Sequence, residues 1–182
     1  VIDGNGLGIG LLDYLVKPQI DPDTNELFPD FGVYNDEDGY YKKYRTQNCE
    51  QDALYVIKAN APINTEAHAN AQTQLSSGKV KMLIDERVAK TKLLGTKVGQ
   101  NMTPEERAEY LKPFTLTSIL KEEMMNLREE TEGVNIILKQ ANRGIRKDKF
   151  SAFEYGLYYI KHEEDNKKKK KKFNAKEWCF FN

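Results

Sequence analysis

Apolar and polar positions along this chain change period several times, and each change predicts an element. Val1-Ile2-Asp3 reads as the end of a buried strand, followed by the flexible turn Gly4-Asn5-Gly6-Leu7-Gly8. Ile9, Leu12, Leu15 and Val16 then recur at helical spacing until Pro18 closes the helix. Residues 19–53, rich in Asp, Asn, Gly, Pro and Tyr, read as a long loop or hairpin insertion. Leu54 to Lys58 predicts a strand. Ile63 to Leu75 predicts a helix capped by Asn64 or Thr65 and ended by Ser76-Ser77-Gly78. Lys79 to Ile84 predicts a further strand, and residues 85–101 a short helix with a Gly-containing loop.

Thr103-Pro104-Glu105-Glu106 is a strong helix start, with Thr as cap, Pro in the first turn and acids near the positive helix end. Pro113 is expected to break that helix, and Thr117 or Ser118 to cap another carrying Ile119, Leu120, Met124 and Leu127. Met124 and Met125 read as core filler. Gly133 to Lys139 predicts a strand and Asn142-Arg143-Gly144 a turn. Asp148 precedes a helix whose apolar face is Phe150, Phe153, Leu157 and Ile160. A basic tail, residues 163–182, is expected beyond His162, with the lysine run 167–172 disordered on its own. Alternating strands and helices predict the α/β class. The elements are few for a closed domain. Strands usually run about five residues, so a strand ending at Asp3 leads us to expect sequence upstream of Val1.

Composition changes this picture through charge. The 28 bases and 28 acids cancel, yet residues 21–52 hold nine acids against Lys42, Lys43 and Arg45, and residues 139–176 hold thirteen bases against five acids. Such asymmetry fits a nucleic-acid contact at the basic end, or a solvated face with a tail. Cys49, Cys179, His68 and His162 make no zinc spacing, and a reducing, intracellular setting fits them. No apolar run approaches the ~18 residues that span a membrane.

Two acids occupy informative places. Asp3 ends a strand and is followed by glycines that admit close neighbours; Asp148 sits among Arg143, Arg146, Lys147 and Lys149. Carboxylates from different elements can hold two Mg²⁺ or Mn²⁺ ions, which clamp the attacking and leaving oxygens of a phosphodiester. The plainer readings are a turn residue for Asp3 and a helix cap for Asp148. The glycines at 4, 6, 8 and 10 do not meet G-x-G-x-x-G, because Ile9 and Leu11 stand where the third glycine belongs. No Walker-type loop and no Gly-x-Ser-x-Gly elbow is present.

Several segments together resemble the nuclease domain of the tailed-bacteriophage terminase large subunit. Val1-Ile2-Asp3-Gly4-Asn5-Gly6-Leu7-Gly8, running into a Leu-rich helix with Asp13, resembles that family's second acidic strand. Lys147-Asp148-Lys149-Phe150-Ser151-Ala152, leading to Tyr155 and Tyr158, resembles its last acidic motif. Tyr55 to Asn60, Ala67 to Gln72, and Glu122 to Leu127 are similar to terminases from phages of Gram-positive hosts. The likeness covers roughly residues 1–162, and order and spacing carry it rather than any single motif.

The resemblance implies a ribonuclease H-like mixed sheet flanked by helices, lacking its N-terminal strands here. It implies a metal-dependent endonuclease that cuts concatemeric viral DNA during genome packaging in the cytoplasm of an infected bacterium or a lysogen. Its partners would be double-stranded DNA, a portal protein and a small terminase subunit, with no membrane. Asp3 would be the second metal-binding acid and Asp148 the last, both catalytic, with two Mg²⁺ or Mn²⁺ ions as cofactors. The first acid would precede Val1, so the chain alone would be inactive; Asp13 lies too far into its helix to replace it well. Arg143, Arg146, Lys147 and Lys149 would touch phosphates without reading sequence. The main alternative is a non-catalytic DNA- or portal-binding module, motivated by the acidic insertion and the missing acid. A nucleotide-binding enzyme would rest on the glycine turn alone.

Overall fold

The computed structural model describes residues 1–46, 49 and 52–170. It is a mixed α/β structure of small sheets flanked by helices. The described residues divide into two compact units, one made of residues up to 63 together with 155–170, the other of residues 64–154. The helices α2 (Ala61–Ser76) and α6 (Asp148–Lys170) each have residues in both.

In the first unit, β1 (Ile2–Asp3) and β4 (Gly32–Val33) lie along one extended run of chain formed by β5 (Asp52–Leu54) and β6 (Val56–Ile57). Both ladders are parallel, β1 on β6 and β4 on β5. Successive residues of an extended chain present their backbone groups to alternate edges. Accordingly, the Leu54 carbonyl accepts from Tyr34 N–H at 2.7 Å, the Tyr55 carbonyl from Ile2 at 2.8 Å, and the Ile57 carbonyl from Gly4 at 2.7 Å. Val56 faces the β4 side, where the backbone ladder has ended. There Asn35 replaces it: its Oδ1 accepts Val56 N–H at 2.9 Å and its Nδ2 donates to Val56 O at 2.7 Å. Run 52–57 is thus bonded along both edges.

Helix α1 (Leu7–Leu15) follows the turn after β1. Leu12 and Val16, one turn apart, form a core with Val33 and Val56, against which Ile2, Leu54, Tyr41 and Tyr44 pack. Close approach explains Gly8, where a Cβ would collide with the Asp3 carbonyl oxygen. Ile9, expected on the buried face, is exposed. The insertion at 19–53 begins with an antiparallel hairpin, β2 (Gln19–Ile20) and β3 (Leu27–Phe28), turned by Asn25 at φ 59°. Lys42–Tyr44 is a 3-10 turn.

The second unit is largely helical, with α2 residues 64–76, α3 (Glu86–Leu94), α4 (Lys97–Asn101) and α5 (Pro104–Met125). Thr103 caps α5 in a full capping box with Glu106, as its sequence predicts. Arg107 folds back to donate to the carbonyls of Gly99 and Gln100 at the end of α4. An antiparallel hairpin follows, β7 (Leu127–Glu132) and β8 (Asn135–Gln140). Its two-residue turn opens with Gly133 at φ 61°, as a II′ turn requires.

Several expectations are corrected. α2 starts at Ala61, and Asn60 rather than Asn64 or Thr65 caps it, accepting Ile63 N–H at 3.0 Å. Residues 79–84 form no strand, because no neighbouring edge pairs with them. The Gly-containing loop expected after α3 folds as α4, where Thr96 accepts from Gly99 N–H. Pro113 does not break α5; it sits inside one continuous helix, and neither Thr117 nor Ser118 begins another. Proline removes one N–H and crowds one carbonyl, and here the surrounding turns hold the helix together. Leu127 begins a strand instead of ending a helix, and Met125 is 80% exposed rather than core. Helix α6 runs past His162 through Lys170, aided by the pairs His162–Asn166 and Asp165–Lys168. The remainder of the expected tail, 171–182, lies outside the described residues. No helix among the described residues is long and apolar enough to cross a membrane.

Candidate functional site

The residues singled out by chemistry fall in both units, Asp3 in the first and Asp148 with the four cations in the second. Asp3 ends β1 with its side chain exposed. Its Oδ1 accepts Asn5 N–H at 3.0 Å, and Asn5 Nδ2 donates to Ala59 O at 3.1 Å. The turn therefore fixes Asp3 beside the carboxyl end of β6. This is also what a plain turn residue does, and that bond occupies one carboxylate oxygen.

Asp148 opens α6 and is exposed, with Arg146 Nη1 at 3.9 Å. The capping work expected of it is carried elsewhere: Glu123 of α5, 3% exposed, accepts Phe150 N–H at 2.9 Å. Lys149 Nζ lies 3.6 Å from the other oxygen of Glu123. Below this start, His68 Nδ1 lies 2.9 Å from the buried Glu154 carboxylate.

Arg143, Arg146 and Lys147 stand on the loop between β8 and α6, and Lys149 lies in the first turn of α6. Asn126, at the end of α5, uses both halves of its amide on one residue. Its Oδ1 accepts Asn142 N–H at 2.8 Å and its Nδ2 donates to Asn142 O at 2.9 Å. Its own carbonyl accepts Ala141 N–H at 2.8 Å. Gln140 Nε2 donates to Ile145 O at 2.6 Å, and Gly144 N–H donates to Asn142 Oδ1 at 2.9 Å. On this frame Arg143, Arg146, Lys147 and Lys149 are all exposed. Lys147 also reaches Leu138 O at 3.4 Å. The loop backbone is thus bonded in place while the cationic side chains stay exposed, an arrangement suited to backbone phosphates.

As ligands for Mg²⁺ or Mn²⁺, Asp3 and Asp148 offer the hard oxygens such ions prefer. Among the described residues, no group of three or more His, Cys, Asp or Glu side chains is placed to hold a metal ion. Asp13 lies on α1, where it faces Tyr41 and Lys43.

Sequence reasoning missed a cleft of about 310 Å³ in the first unit, which Tyr40, Tyr41, Tyr55 and Tyr158 line. A signal for it existed: five of the ten tyrosines fall between 34 and 55. Residues of α6 are held beside it, since Tyr55 and Tyr159 rings meet at 4.8 Å and Tyr34 hydrogen-bonds Glu163. That bond, with the nearby carboxylate charge, raises the Tyr34 hydroxyl above its ordinary range. Burial does the same to Tyr55, helped by Tyr158 and Glu163. Compared with known proteins, the chain matches no family model, no curated protein and no solved structure.

Proposed function

We propose that this chain is a double-stranded-DNA-handling nuclease unit of the terminase kind, in which Asp3 and Asp148 are the acids on which cutting depends. The observation that carries the reading is the braced basic loop, four exposed cations around an exposed carboxylate at the start of α6. Asp3, at the carboxyl end of a parallel strand and beside a glycine turn, supports it from the first unit. The fold this reading implies is ribonuclease H-like. Its setting would be the cytoplasm of an infected bacterium or a lysogen, with a portal protein and a small terminase subunit as partners.

Arg143, Arg146, Lys147 and Lys149 would hold phosphates and orient the duplex without selecting sequence. Asp3 and Asp148 would each supply carboxylate oxygens to a divalent ion. Bound Mg²⁺ or Mn²⁺ supplies charge stabilisation for the phosphodiester and activates water. The test is plasmid nicking with Mn²⁺, Mg²⁺ or EDTA, by this chain and by one lengthened with the preceding acidic strand that the resemblance implies. Metal-dependent nicking by the longer chain, abolished by Asp3→Ala and by Asp148→Ala, is expected. Unchanged nicking by both variants overturns the assignment of the acids.

One observation favours a second reading, that of a DNA-binding module without chemistry: the braced loop lies in a single unit and needs no metal to present its cations. Salt-sensitive duplex binding by both chains, with no nicking under any condition, would establish it.

A further inference from the structure

The tyrosine cleft combines features that no charge cluster alone provides. It is lined by Tyr55, 8% exposed, and by residues of three segments: Tyr40 and Tyr41 from the insertion, Lys58 just after β6, and Tyr158 from α6. The space, about 310 Å³, exceeds what one ring needs. Tyr40 stands edge-on to Tyr41 at 4.9 Å and remains 52% exposed, so one aromatic ring is on offer.

Three acids line the cleft, Asp36, Glu37 and Asp38, the last two exposed. Lys58 lines it too, with its Nζ 5.9 Å from the Tyr40 ring centre, and Lys43, beside the cleft, places its Nζ 4.1 Å from the same ring. Residues 1–63 contain eleven acids and five bases. Two of the five bases, Lys43 and Lys58, thus meet on Tyr40, the exposed ring of the cleft, although Asp13 faces Lys43.

We propose that this cleft receives a single unstacked base of single-stranded DNA. The base would stack on tyrosine, its ring N–H and amino groups would donate to the carboxylates of Glu37 and Asp38, and the adjoining phosphates would meet Lys58 and Lys43. Every base has a π face, so stacking of this kind tolerates sequence, and lysines that track the backbone complete it. Carboxylates accept from amino groups of base edges. The inference rests on the proposed DNA-handling function for its choice of ligand, and it adds a strand-recognition site that uses none of the residues of the basic loop.

The experiment is fluorescence anisotropy of the full 182-residue chain with a labelled single-stranded 12-mer and with the matching duplex, in EDTA. Tyr40→Ala and Lys58→Ala are each expected to weaken single-strand binding about tenfold and to leave duplex binding unchanged. Both residues are exposed, so neither substitution removes core. Tyr110→Ala, an exposed tyrosine of the second unit, should change neither. Equal single-strand affinity of wild type, Tyr40→Ala and Lys58→Ala overturns the proposal, as does a chain that binds duplex but not single strands. Neither of those results touches the cutting test. Failure of cutting with the tyrosine-dependent binding intact would sink the nuclease reading and keep this one.

Discussion

Asn126 and Asn142 are joined as two strands would be, the side-chain amide of one bonded to both backbone groups of the other. The same device recurs in the first unit between Asn35 and Val56. In each case an asparagine satisfies a backbone N–H and C=O that no neighbouring strand reaches, and each bond made this way avoids a desolvated, unpaired group.

Asn126→Asp keeps the acceptor for Asn142 N–H but sets an oxygen against Asn142 O. Loss of about 1–3 kcal/mol is expected in urea unfolding. The loop above it should loosen, so that amide exchange at Gly144 and Ile145 quickens. Asn35→Asp should act likewise at Val56, with a smaller effect because Asn35 is only partly buried.

The basic loop makes an electrostatic prediction. Arg143→Ala and Arg146→Ala should weaken duplex binding evenly across sequences. Each should also lower the slope of log K against log salt by about 1. A slope unchanged in the double variant would show that DNA does not touch this loop.

Gly8 and Gly10 stand in the same helix with opposite expectations. A Cβ at Gly8 collides with the Asp3 carbonyl, whereas one at Gly10 meets nothing within 4 Å. Gly8→Ala should destabilise by about 1–3 kcal/mol as α1 is pushed from β1. Gly10→Ala should stabilise by about 0.5–1 kcal/mol through helix propensity. Thermal melts of the two variants decide it.

Asp30 makes the insertion sensitive to acid. It is 2% exposed, and burial alone would raise its carboxyl. Bonds from the Thr46 hydroxyl and amide, from its own amide and from Cys49 outweigh burial and hold it below the ordinary value of 3.8. A carboxyl lowered by folding adds stability that is complete above its unfolded pKa and lost as pH falls through the folded one. Stability should therefore fall below about pH 4, and Asp30→Asn should flatten that decline in a pH series of urea midpoints.

Local signals made much of this legible. Thr103-Pro104-Glu105-Glu106 specified a capping box because every partner lies within one turn. The β1–glycine–α1 start was readable for the same reason. The long-range choices were not. Residues 79–84 have strand composition but no edge to pair with, and composition cannot reveal a missing partner. Pro113 reads as a stop by its own chemistry, yet α5 continues through it. Leu127 fits a helical stripe, and only its pairing with Gln140 makes it a strand. The four cations around Asp148 were visible as a cluster, but Asn126, which braces them from sixteen positions away, was not. The tyrosine cleft was hidden because its walls come from segments far apart in sequence.

The two parallel ladders of the first unit also set an order of assembly. The β7–β8 hairpin closes between Glu132 and Asn135, a loop that a chain samples in microseconds. The first unit must instead bring Ile2 to Tyr55, Gly4 to Ile57 and Asn5 to Ala59, the last pair 54 positions apart, to bond that edge. Contacts so distant in sequence form slowly. During synthesis, Asp3 would therefore wait for the whole insertion and β6 to emerge before its strand had a partner, and the tyrosine cleft would be among the last features to exist.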